Sequence, residues 1–328
     1  MPRILISASF DEHLLTRQTP GGAGDWDEFQ FVTSPSDQAV DGWVVYDDLR
    51  HPIEQKCPSS NTLLITGEPE SVRRYRSRYT GQFGQIWSSH TSIHHPHLTN
   101  SCESQHWHYG MYRSEAHGEP LLFDDLVGLG RPEKSKLMSV ICSSKAHTED
   151  HRQRLAFVER LKERFGDSID VFGRGVRSVQ DKSDAIWPYK YHLVLENDHS
   201  DYFMTEKLPD AFLGWSYPIY FGGREAYHRL PEGAFSAIDI YHPEQAIGMI
   251  EDVIKANLYD SAYDNVAEAR KTVLYDLNIM ARMAEYWRAN LVDDPVERTT
   301  LFPKCYRTNL VLRQVQRFAR RTFARKAA

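Results

Sequence analysis

Residues Tyr189–Lys207 read YKYHLVLENDHSDYFMTEK. Tyr189–Leu195 is aromatic and aliphatic, the pattern of a strand buried on both faces. The run ends in a polar pair, Glu196-Asn197, and a short polar loop leads to Thr205-Glu206-Lys207, which opens a helix. A strand's carboxyl end facing a helix start is where α/β folds hold phosphorylated ligands. A carboxylate there can accept from ribose hydroxyls, and an ammonium with free backbone N–H groups can hold a diphosphate. Acid, amide and cation in this order suit a nucleotide sugar.

Strands and helices alternate on both sides of this stretch. Upstream, Leu137–Cys142 reads as a strand, and Thr148 before Glu149 and Asp150 reads as a helix start. Leu155, Val158, Leu161 and Phe165 form a helical stripe, which Gly166 ends. Ile169–Phe172 is a strand running into Gly173-Arg174-Gly175, a turn that suits either close backbone approach to a ligand or a plain reversal. Downstream, Tyr217–Phe221 is a strand closing at Gly222-Gly223, and Ala246–Ile254 and Asn265–Arg288 read as helices. The first half carries strand candidates Ile4–Ala8, Phe29–Thr33, Trp43–Tyr46, Leu63–Thr66 and Gln85–Ser88. Residues His90 to Arg131 lack periodicity and read as loops, with Leu121–Val127 as one apolar piece. The expectation is an α/β protein of two Rossmann-like domains facing across a cleft. An acceptor-side domain spans 1–132, a nucleotide-sugar domain 133–290 and an extension with a basic tail 291–328.

Composition narrows the function classes. The chain has 328 residues, a hydrophobic fraction of 41% and a formal net charge of -6, enough for real cores and wrong for a bulk-basic nucleic-acid binder. No apolar run approaches the roughly 18 residues of a membrane span. Four scattered cysteines, Cys57, Cys102, Cys142 and Cys305, suit a reduced cytoplasmic protein.

The pattern Y-K-Y-H-L-V-L-E-N-x7-T-E-K-L, from Tyr189 to Leu208, resembles family 10 glycosyltransferases, the α-1,3/1,4-fucosyltransferases, in their bacterial form. Val171-Phe172-Gly173-Arg174, Tyr217–Gly222 and Phe235–Asp239 extend the resemblance over most of the second half. In the first half only Ile65-Thr66-Gly67-Glu68 is similar. The resemblance implies a GT-B fold and inverting transfer of fucose from GDP-fucose to a glycan hydroxyl, with no essential metal or cofactor. It implies Glu68 as general base and Arg154 as a diphosphate contact. It implies Asn197, Glu206 and Lys207 as further nucleotide-sugar contacts. Glu196, Gly173 and Arg174 join the donor-side candidates by position. The family's tyrosine three residues before the T-E-K glutamate is Phe203 here, with Tyr202 beside it as the alternative source of a hydroxyl. Two other readings stay open: a GDP-sugar donor other than fucose, and a non-catalytic nucleotide- or glycan-binding protein.

Two further features stand outside that pattern. His90, His94, His95, His97, His106 and His108 lie near Cys102, but His94-His95-Pro96-His97 does not match common zinc spacing, so no metal is expected. Trp107, His108 and Tyr109 in this stretch could stack on an acceptor sugar. From Arg307 to Lys326 the basic residues have no acidic partners, and Val311, Val315, Phe318 and Thr322 share a helical face. Such a helix either contacts anionic lipid peripherally, at the inner face of a membrane, or stays solvated. The first case would suit lipid-linked glycans and surface polysaccharide synthesis.

Overall fold

The computed structural model describes residues 1–102, 106–144, 146 and 148–306. Two parallel sheets organise them. In the first, the strands lie in the order Asp25–Trp26, Phe29–Val32, Arg3–Ala8, Gly42–Tyr46, Thr62–Ile65, Gln85–Ser88 and Leu98–Asn100. Every neighbouring pair is parallel except the first. In the second, Ile169–Phe172, Lys136–Ile141, Tyr189–Leu195, Tyr217–Phe221 and Ser236–Ala237 lie side by side, all parallel.

Side chains alternate across a strand, and a sheet covered on both faces buries both sets. Ile4, Ile6, Val44, Leu63 and Ile65 face one core, while Leu5, Trp43, Val45 and Leu64 face another with Tyr75, Tyr79 and Phe83. The first of these cores is completed from the far end of the chain. Helix Ile279–Asn290 lays Ile279, Met280, Met283 and Trp287 onto it. Gly42 makes room for this: a Cβ there would stand 3.0 Å from Ile4 and 3.2 Å from the Trp287 ring. Strand Glu297–Leu301 then pairs antiparallel with Ile53–Cys57.

The expected boundary at 290 therefore moves. The expected helix Asn265–Arg288 is two helices, Tyr263–Tyr275 and Ile279–Asn290. Asn278 separates them, its side chain accepting from Met280 N to cap the second. The first helix packs with the second sheet and the other crosses to the first. The crossing runs the other way as well: Cys102, Trp107, Tyr109, Phe123 and Leu126 belong to the core of the second sheet. The guanidinium of Arg17, from the first domain, donates to the carbonyls of Trp107, Tyr109, Gly110 and Leu121 and ties this segment down.

The second sheet has a switch point. The strand after Lys136–Ile141 lies on one side of it, and the next, Tyr189–Leu195, on the other. A crevice opens outside the carboxyl ends at such a point. The signature stretch ends there.

Candidate active site

A cleft of about 260 Å³ lies at this switch point. Ile141, Ser143, Arg154, Leu195, Asn197, Phe203, Thr205, Glu206 and Lys207 line it from the second domain, and Gly67 and Glu68 from the first. Arg154 sits one turn into helix Glu149–Phe165, which Thr148 caps by accepting from His151 N. Its Nη1 donates to Leu195 O (3.0 Å) and Asn197 Oδ1 (2.6 Å), so strand end and helix start are clamped together. Its Nε is buried with no partner among the described residues. Burial pulls this guanidinium below its usual pKa, with Cys142, Glu196 and Asp150 opposing.

The strand end also carries Glu196, whose position differs from the expected donor contact. Its carboxylate is fully buried and does not line the cleft. It accepts from Thr205 N and Oγ1 and from Lys207 Nζ, each at 2.8 Å. Glu196 thus fixes the loop and aims Lys207 rather than facing a ligand. Lys207 also donates to Thr205 Oγ1 at 2.7 Å.

Lys182 and Asp210 escaped the sequence reading. Lys182 Nζ donates to Glu206 Oε1 and Asp210 Oδ2, both at 2.8 Å. Burial lowers the lysine's pKa, but the two carboxylates more than reverse this and it ends raised. Burial raises Asp210 to about 6, against the pull of Lys182. Glu206 is also buried, which raises it, yet Lys182 and Lys207 hold it well below the usual carboxylate range. Asp210 Oδ1 accepts from His108 N (2.9 Å) and Tyr109 N (3.0 Å), so the network reaches the interdomain segment. His108 lines the cleft, and Trp107 and Tyr109 do not: both are fully buried in the core, which removes them as stacking platforms for a sugar.

On the opposite wall Glu68 follows strand Thr62–Ile65 and is half-buried. Its carboxylate has no hydrogen-bond or ion-pair partner among the described residues, while its carbonyl is held by His90 Nε2 at 2.6 Å. Gly67 N donates to Tyr75 OH at 3.2 Å, and that phenol donates in turn to Asp47. Asp47 also pairs with Arg73 and, at 3.0 Å, with Lys304. Just beyond, burial raises the pKa of Asp198, in the loop after Asn197, but the Ser71 side chain beside the Glu68 loop and the Ser200 N–H more than reverse this and it ends lowered.

Of the other candidates, Phe203 lines the cleft, while Tyr202 is exposed and away from it, so Tyr202 does not replace the missing hydroxyl. Gly173 and Arg174 lie outside the cleft lining, and Arg174 is exposed. Gly173 has φ +140°, and a Cβ there would stand 2.2 Å from Cys142 O. Its role is backbone packing against the strand exit at Cys142-Ser143. His94 and His95 engage the carbonyls of Ser92 and Phe83. The basic tail lies outside the described residues.

Residues 131–278 match the family model described as glycosyltransferase family 10 (fucosyltransferase) C-term. The resemblance to family 10 glycosyltransferases holds over these residues. The chain is also similar to the crystal structure of an α1,3-fucosyltransferase with GDP-fucose, at 15% identity and TM-score 0.51. That likeness covers 90% of this chain and 92% of that one. A second α1,3-fucosyltransferase crystal structure is similar at 14% identity and TM-score 0.51, over 90% of both chains. At these identities the likeness establishes the fold: a GT-B pair of Rossmann-like domains. No curated protein matches the sequence.

Proposed function

We propose that the chain is an inverting fucosyltransferase that moves L-fucose from GDP-fucose to a glycan hydroxyl, α-1,3 in type. The supporting observation is a single cleft with Glu68 on one wall and Arg154, Asn197, Glu206 and Lys207 on the other. Arg154 and Lys207 hold the diphosphate, and Glu206 accepts from donor hydroxyls. Glu68 takes the proton of the attacking hydroxyl as that oxygen bonds to the anomeric carbon. The carbon–phosphate oxygen bond breaks on the opposite face, its electron pair passes to the departing GDP, and configuration inverts. Base assistance of this kind is worth about 10²–10⁴-fold. The growing charge on the leaving phosphate is met by cations in a site partly closed to water, where such interactions are strong. This scheme assigns no step to a metal or cofactor.

The Phe203 position favours testing the sugar directly, because the cleft wall lacks the hydroxyl expected there. A donor panel at fixed acceptor, with GDP-fucose, GDP-mannose and UDP-sugars, tests the reading. GDP-fucose used at least tenfold better than GDP-mannose is the expected result. Preference for GDP-mannose would reassign the donor, and nucleotide binding without turnover on any glycan would leave a non-catalytic binder.

The basic pattern of residues 307–326 supports peripheral contact with an anionic membrane. Among the described residues no helix is long and apolar enough to cross one. Co-sedimentation with phosphatidylserine vesicles, lost on removing residues 307–328, is the expected outcome, and equal pelleting of both forms would refute it.

A further inference from the structure

The inner end of the cleft holds a polar group that the scheme above does not use. His192 lies three residues inside Leu195 on strand Tyr189–Leu195, and its ring lines the cleft. At about 3.3 Å per residue it stands about 10 Å deeper than the Leu195 carbonyl that Arg154 grips. The strand register sets it beside Ser139. Ile141, two residues on from Ser139, shares that face of the sheet. Ser139 also bonds Ala185 O, which brings Ile186 over the same place. Ile141 and Ile186 both line the cleft, so apolar side chains flank the histidine there.

The hydrogen bonds fix which nitrogen of His192 carries the proton. Ser139 Oγ lies 2.6 Å from Ala185 O and 2.8 Å from His192 Nδ1. A carbonyl only accepts, so the single hydroxyl proton goes to Ala185. Nδ1 must then carry a hydrogen and donate it to Oγ. A neutral imidazole bonded in this way leaves a bare lone pair on Nε2. The ring is neutral, since burial lowers it to about 3 with Lys182 and Lys134 assisting. His192 is 3% exposed, and no group among the described residues donates to its Nε2. An acceptor so enclosed calls for a partner.

The order of parts in the donor decides what reaches this place. Glu68 marks the end where the sugar reacts, Arg154 and Lys207 hold the diphosphate, and Glu206 accepts from the ribose. Lys182 continues the line inward: its Nζ bonds Glu206 Oε1, and its charge acts on His192. The base follows the ribose and is the part left for the inner end. Guanine is flat, which suits the flanking isoleucines, and it offers one N–H on its six-membered ring, at N1. We propose that His192 Nε2 accepts the N1–H of guanine, which makes His192 the residue that reads the base of the donor. It sets specificity and takes no part in bond making. Adenine and cytosine carry a lone pair at the corresponding ring nitrogen, and it would meet the lone pair of His192. A site built to hydrogen-bond one ligand rejects the analogue that leaves its polar group unpaired. The proposal rests on the donor site described above.

Calorimetric titration with GDP and with 1-methylguanosine diphosphate tests it, on the wild type and on His192→Ala. The methyl group replaces the hydrogen that His192 accepts and leaves ribose and diphosphate unchanged. The wild type should bind GDP at least about tenfold tighter than the methylated ligand. His192→Ala removes the acceptor and makes room for the methyl group, so that preference should fall to about twofold or reverse. A merely structural role would weaken both ligands alike and keep their ratio. An unchanged ratio in His192→Ala would overturn the proposal, as would equal affinity for the two ligands in the wild type. If the variant fails to fold, nitrogen-15 NMR of histidine-labelled wild type decides. GDP should move the Nε2 resonance of an Nδ1–H ring upfield and the methylated ligand should not; the absence of any GDP-specific shift would overturn the proposal. Absence of GDP binding by the wild type would instead remove the donor reading, and this proposal with it.

Discussion

Lys182 Nζ joins Glu206 and Asp210 at 2.8 Å each; both carboxylates are buried, and the lysine keeps 19% of its side chain exposed. Removing one partner of a buried ion cluster strands the others, at a cost of about 3–5 kcal/mol. Lys182→Met should therefore lower stability by that amount in urea unfolding, and weaken donor binding through a displaced Glu206. A loss below about 1 kcal/mol would contradict the network. The places of Asn197, Glu206 and Lys207 on the cleft wall were legible in the sequence because one short strand–loop–helix segment carries them, and that of Arg154 only through the family resemblance. Lys182 and Asp210 were not, since folding brings residues 182 and 210 together across a helix and a strand. Glu196 misled for a related reason: a polar residue at a strand end reads the same whether it faces a ligand or its own loop.

Buried histidines give the elements around the cleft a pH signature. Burial holds His192 down to about 3, with Lys182 and Lys134 assisting, and His106 down to about 4. In the unfolded chain each titrates near 6.5. Between about 6.5 and 4 the unfolded state binds more protons, so their contribution is fully present above 6.5 and lost as pH falls. The slope is about 1.4 kcal/mol per pH unit for each histidine. Asp210, raised to about 6, binds its proton in the folded state first and offsets one histidine between about 6 and 4. Urea midpoints should fall from pH 7 toward pH 5, and His192→Asn should flatten that fall. A midpoint that rises on acidification would refute the neutral, buried assignment. At the turn after strand Ile169–Phe172, Gly173→Ala meets Cys142 O and an unfavourable φ, and should cost roughly 1–3 kcal/mol.

The whole molecule is held by exchange of segments between its domains. The central strands of both sheets were legible because parallel strands buried on both faces show as apolar runs; the short edge strands Asp25–Trp26, Leu98–Asn100 and Ser236–Ala237, which bury neither face, were not, and the second falls in the stretch read as loops. The destination of helix Ile279–Asn290 was not, because its amphipathic pattern fits any open apolar face. Trp287 is fully buried on the first sheet. Trp287→Ala should cost about 3–5 kcal/mol, read from unfolding of the first domain. A chain ending at 278 should expose that face and aggregate, and a soluble, folded 1–278 would contradict the observed packing.

The assignment of chemistry depends on that assembly, since Glu68 reaches the donor wall only when the two domains are joined. Its most direct test is single-turnover transfer from GDP-fucose by Glu68→Gln, with GDP affinity measured on the same preparation. The account predicts transfer reduced at least 10²-fold with GDP affinity within about threefold of wild type. Transfer at the wild-type rate would contradict it.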